Sequence, residues 1–146
     1  MAASEEELRK LLVEIRMMEG SANLIQTRLK VVAAALEETM IATRALEGVK
    51  NCQKATEALV PVGAGSFVRV ELSDLQKVIT GVGAGVCMEK SIDSAILDHK
   101  ERQAELEKLN GSLQQQLSQI LTSIEGSKNN LARLIEQQSE QKTKTP

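Results

Sequence analysis

The chain has 146 residues with one Phe and neither Trp nor Tyr, so it lacks the large side chains that dominate a compact globular core. Its 20 acidic and 18 basic residues leave a net charge of −2 spread along the sequence, with no basic patch to steer nucleic acid or an anionic membrane surface. Cys52 and Cys87 show neither CxxC spacing nor the cysteine density of a disulfide scaffold, which fits reduced thiols in a cytoplasm.

The N-terminus, Met1-Ala2-Ala3-Ser4-Glu5-Glu6-Glu7, has no basic or apolar signal region, and the longest apolar run, Val31 to Leu36, is too short to span a bilayer. Ser4 followed by Glu7 matches a capping box and predicts a helix from about residue 4. Leu8, Leu11, Ile15, Met18, Ala22, Ile25, Leu29, Val32, Leu36 and Leu46 then recur at alternating steps of three and four, interrupted by Thr39 and Thr43. This is a coiled-coil seam. Past Leu46 the frame lands on Lys50 and Gln53, and the first arm is expected to end near Glu57, giving an N-terminal arm over 1–57.

Residues 58–90 read differently. Val62-Gly63-Ala64-Gly65 returns twenty positions later as Val82-Gly83-Ala84-Gly85, each between apolar and β-branched runs, so two like-built β-hairpins are predicted. The strands are expected at Leu59 to Val62, Phe67 to Leu72, Val78 to Val82 and Val86 to Glu89, with Ser73-Asp74-Leu75-Gln76 as the connection. Two small hairpins cannot cover their own apolar face in water, so strands from several subunits are expected to close into a shared barrel. Leu59, Val60, Val62, Phe67, Val68, Val70, Val78, Val82, Val86 and Met88 are the candidate oligomerisation residues.

The second arm, 91–146, starts at Ser91 as N-cap with Asp93 in the first turn, where a carboxylate suits the helix dipole. Ile92, Ile96, His99, Leu106, Leu113, Leu117, Ile120, Ile124, Leu131 and Leu134 carry the seam, with Gln103, Asn110 and Ser127 as polar members. Each arm would run roughly 80 Å as helix. An antiparallel register can be written that sets Leu134 with Ile15, Leu131 with Met18, Ile124 with Ile25, Ile120 with Leu29 and Leu113 with Leu36, and places Asn110 opposite Thr39 as a shared polar layer. The fold class is therefore α+β, mainly α: a long antiparallel coiled-coil helical hairpin with two inserted β-hairpins.

Chemistry-bearing motifs are sparse. Gly81-Val82-Gly83-Ala84-Gly85 has Val86 where a GxGxxG needs its third glycine, and no phosphate-loop GK[ST] exists. His99, the lone histidine, falls on the seam with no cysteine at ligand spacing. A slender helical hairpin offers little concavity for catalysis, so no enzyme and no cofactor are expected.

Leu59-Val60-Pro61-Val62-Gly63-Ala64-Gly65-Ser66-Phe67-Val68 and Val82-Gly83-Ala84-Gly85-Val86-Cys87-Met88-Glu89-Lys90, set between two helical arms, resemble the archaeal prefoldin alpha subunits. Two hairpins rather than one separate that class from the beta subunits, and Val86-Cys87 departs from it where an aromatic is more usual. The resemblance implies a hexamer of two alpha and four beta subunits, with a double barrel as body and six coiled-coil tentacles. It further implies an ATP-independent holdase that grips unfolded client proteins at the tentacle tips and passes them to a group II chaperonin. On that account the candidate client residues are the off-seam Leu12, Val13, Met17 and Ile135, with Leu8, Leu11, Leu131 and Leu134 of the seam at the same end. The rival class is a static coiled-coil scaffold or tether, which shares the arms but gives no reason for surplus apolar side chains at their ends.

Overall fold

The computed structural model describes the backbone of residues 2–143 and the side chains of residues 5–140. The chain runs α1 (Ala2–Lys50), β1 (Glu57–Gly63), β2 (Ser66–Glu71), β3 (Lys77–Gly83), β4 (Val86–Ser91), α2 (Ile92–Thr143). Ser4 lies inside α1, two residues past its start, and its side chain, with the proposed capping box, falls outside the described residues.

The chain forms two compact units, one of residues 1–33 with 108–146 and one of residues 34–107. In the first, the arms bury Ile15, Ala22, Ile25 and Val32 of α1 and Leu113 and Ile124 of α2. In the second, Thr43, Ile92, Ala95, Ile96 and Leu106 are buried. Every one of these except Ala95 is a seam position anticipated from the three-and-four spacing. Thr43 is buried without penalty because its hydroxyl donates to the Thr39 carbonyl at 2.8 Å, as the Thr39 hydroxyl does to Ala35 at 2.7 Å.

The register differs from the expected one by about a heptad. Ile120 lines a groove with Met18 and Ser21 rather than facing Leu29, and Leu113 shares one with Arg28, Val31 and Val32. In the other unit Lys50 pairs with Asp93. Glu19–Lys128 at 2.7 Å and Glu47–Lys100 at 2.8 Å agree, since antiparallel helices lean these side chains toward one another.

The cause is the end of α1, which stops at Lys50 and not near Glu57. Once the apolar frame has run out at Lys50, nothing holds further turns. The chain leaves through Asn51 and Cys52, whose amides donate to Glu47, Gly48 and Val49 carbonyls, and turns at Ala55 with φ 64°. At the other side Ser91 caps α2, its hydroxyl accepting from Ser94 N–H at 3.2 Å, and the Ile92 amide is fixed on the Gln76 carbonyl. Lys50 is thus brought level with the start of α2, where it pairs with Asp93.

Two separate two-stranded antiparallel sheets fill the insert. In β1–β2 the pairs run from Glu57↔Glu71 through Val60↔Val68 to Gly63↔Ser66, with Val62 bulged. In β3–β4 they run from Lys77↔Ser91 through Thr80↔Met88 to Gly83↔Val86. Asp74 fixes the connection by accepting from the Gln76 and Lys77 amides.

Both turns are two-residue loops with positive φ at both central residues: Ala64 at 51° and Gly65 at 74°, Ala84 at 51° and Gly85 at 74°. That is the type I′ geometry matched to strand twist, and alanine is the wrong residue for its first position. Replacing Ala64 and Ala84 by Asn is expected to stabilise each hairpin by about 1 kcal/mol, and Ala64→Val to weaken it. Thermal unfolding followed by circular dichroism checks this; an unchanged midpoint in both directions would mean the turns do not limit hairpin stability.

Candidate functional site: exposed apolar surfaces

Two sets of side chains stand out because their chemistry conflicts with their exposure. The first is at the outer part of the arms. Leu12, Val13, Met17 and Ile135 are 44%, 56%, 70% and 53% exposed, which follows from their lying off the seam while the seam faces inward. Val13 and Met17 come together with Met18 and Ile120 in an open groove of about 580 Å³ rimmed by Glu6, Arg9, Lys10 and Glu14. Its floor is apolar and its rim carries both signs of charge, with Lys10 paired to Glu6 at 3.0 Å. Leu12 and Ile135 are exposed but do not line that groove. The heptad shift also carries Ile135 about 10 Å outward from the height the sequence suggested. Leu8, Leu11, Leu131 and Leu134 are half-buried in the seam, so they hold the arms together.

The second set is on the hairpins. Leu59, Val60, Val62, Phe67, Val68, Val82, Val86 and Met88 are exposed, while Val70 and Val78 are half-covered near the hairpin bases. Strand alternation gathers Ala58, Val60, Val68 and Val70 on one face of the first hairpin. Ile79, at 76% the most exposed large apolar residue here, was not picked out from the sequence. It shares the exposed face of β3 with Lys77 and Gly81, opposite the half-buried Val78 and Thr80, and that period was the available signal. Leu24, Val31, Leu109 and Leu121 form a further exposed set along the arms that the seam pattern alone leaves unassigned.

Several titratable side chains are engaged with one another. Beside the second hairpin, Lys90 pairs with Asp98 and Arg102 with Glu105 around the half-buried His99. Lys77 is held above its ordinary pKa, first by its hydrogen bond to Glu89 and then by that carboxylate's charge. Cys52 is half-buried with its thiol donating to the Gly48 carbonyl, and Cys87 is exposed on β4; both are free. Among the described residues no group of three or more His, Cys, Asp or Glu has metal-binding geometry, and no helix is long and apolar enough to cross a membrane.

A family model described as "Prefoldin subunit" matches residues 18–137. The chain is 35% identical over 113 residues to "Prefoldin subunit alpha" of Methanopyrus kandleri, covering 77% of this chain and 72% of that one. It is 33% identical over 131 residues to "Prefoldin subunit alpha" of Methanococcoides burtonii, covering 87% and 94%. Its fold matches a chain in the cryo-EM structure of filamentous PFD from Methanocaldococcus jannaschii, with a TM-score of 0.66, 19% identity and coverage of 77% and 93%. Two long helices around two small hairpins, apolar surface left open on both, and alpha-class relatives along most of the length lead to one assignment: the chain belongs to the prefoldin family of chaperone subunits, in its alpha class.

Proposed function

We propose that the chain is the alpha subunit of a cytoplasmic holdase, a hexamer of two alpha and four beta subunits that binds non-native protein at the arm ends without ATP. Delivery of the client to a group II chaperonin completes the proposal. The observation that carries it is the open apolar groove around Val13 and Met17, on a family background that is chaperone-type. Unfolded chains are recognised by non-directional apolar burial, which needs accessible side chains and no fixed shape. The hairpins supply the assembly surface: their apolar faces need a cover, and neighbouring subunits provide it. Catalysis is no part of the role. A static tether would share the arms but has no use for Met17 at 70% exposure.

The test mixes the chain with a one-hairpin beta partner and adds a chemically denatured model protein without nucleotide. Light scattering is expected to stay low at stoichiometric hexamer. Aggregation equal to that of the client alone, with hexamer verified by sedimentation, would reject the holdase.

A further inference from the structure

Helix α1 carries a second seam on its outer face. Val13, Met17, Gly20, Leu24, Thr27 and Val31 recur at alternating steps of four and three, which is coiled-coil spacing, and every one of them is exposed. None belongs to the seam that faces α2, where Ile15, Ala22, Ile25 and Val32 are buried. Leu24 stands nine residues past Ile15, about two and a half turns of helix, and so points away from that seam. A helix with one partner fills such outward positions with polar side chains. Here they hold apolar and small ones along about 27 Å of helix.

Two details suit this stripe to a helical neighbour. The Thr27 hydroxyl donates to the Asn23 carbonyl at 3.0 Å, so a neighbour need not supply an acceptor for it. Gly20 has nothing within 4 Å of where a Cβ would stand, so no contact with α2 requires glycine there. On the outer seam its missing side chain lets a second backbone come close. Gly20 and Thr27 alternate with the larger Met17, Leu24 and Val31, and facing layers of large and small side chains interdigitate.

Charge then selects the partner. Arg9, Arg16 and Lys30 line one flank of the stripe at heptad positions, with Asn23 between them, while Arg28 and Glu14 stand on the other. None of these four cations forms an ion pair with any of the described residues. We propose that the stripe docks one acidic amphipathic helix of another protein. Its apolar heptads cover Met17, Leu24 and Val31, and its flanking carboxylates meet Arg9, Arg16, Arg28 and Lys30. A second copy of α1 is a poor occupant, because an antiparallel pair centred on Leu24 brings Arg16 level with Lys30, and juxtaposed like charges oppose association.

The probe is a labelled synthetic peptide of four heptads with Leu on its seam and Glu at every flanking position, where mutual repulsion keeps it from pairing with itself. Fluorescence anisotropy with the purified full chain at low salt is expected to show saturable binding, about tenfold tighter than that of the same peptide carrying Lys for Glu. Leu24→Ser with Val31→Ser should weaken it about tenfold at unchanged far-UV circular dichroism, because both side chains are exposed. Arg16→Glu with Lys30→Glu should reverse the preference, so that the Lys peptide binds the tighter; a chain that had merely lost structure would bind neither. Binding indifferent to flank charge, or indifferent to the Leu24 and Val31 substitutions, would overturn the proposal. Self-association abolished by those two substitutions would give the stripe to a second copy, and loss of peptide binding on hexamer formation would give it to the one-hairpin partner; either overturns it. Client holding by the Leu24 and Val31 variant is expected to persist. Its loss together with peptide binding would merge the stripe with the client surface and end the case for a separate partner.

Discussion

Replacing Val68 and Val70 with Asp is expected to abolish hexamer formation with a one-hairpin partner while most of the helicity remains. Both side chains lie on the face of β2 that also carries Ala58 and Val60 of β1. Val68 is 48% exposed in the isolated chain and Val70 is only partly covered, so the chain itself gains little from either. A two-stranded sheet is marginal in water, and on the proposed assembly a neighbouring subunit's apolar layer is what makes this face favourable. Two aspartates there would bury unpaired carboxylates at a cost of several kcal/mol, more than a weak interface can offset. The helices, of 49 and 52 residues, draw on a seam that the substitutions do not touch. Sedimentation and far-UV circular dichroism together read the outcome. A hexamer surviving with normal stoichiometry would show that this face is not buried in the assembly, and the shared barrel would have to be abandoned.

Much of the architecture could be read from the sequence because its signals are periodic or repeated. The seam positions from Ile15 to Thr43 and from Ile92 to Ile124 follow from three-and-four spacing, and they are the buried or half-buried positions in the structure. The hairpins follow from the duplicated Val-Gly-Ala-Gly, and Asp74 from its place in the connecting turn. The register could not be read in the same way. A slide of one heptad exchanges Leu36 for Leu29 as the apolar level of Leu113, so periodicity is indifferent to it. The choice goes with where the helices end: α1 stops at Lys50 and α2 starts at Ile92, and Lys50 pairs with Asp93 across them. That pairing leaves no trace in hydropathy. Positive φ at Ala64 and Ala84 is hidden in the sequence for a related reason, since the glycines beside them already account for a turn. At the arm ends, the sequence separated seam from surplus correctly, but it could not show that Met18 and Ile120 join Val13 and Met17 in one groove.

Changing Leu12, Val13, Met17 and Ile135 to Ser is expected to leave the hexamer intact and remove most suppression of aggregation. None of the four is buried in the seam, where Ile15, Ala22 and Ile25 carry the packing, so their loss should barely change the stability of the arms. Each, if covered by a client segment, contributes on the order of 1.5–3 kcal/mol of apolar burial. Several arms engaging one client compound the loss, because weakening each contact lowers the avidity of the whole. Nonspecific stickiness predicts something else. Leu24 and Val31 are 53% and 65% exposed on α1, and their replacement by Ser removes similarly exposed apolar side chains, two rather than four, from a different stretch. If the arm ends do the holding, the Leu24 and Val31 variant should retain nearly full activity while the four-residue variant loses it at equal hexamer concentration. Equal activity in the two variants would sink the localisation of client contact to the groove, and full activity in the four-residue variant would sink the role of those side chains altogether.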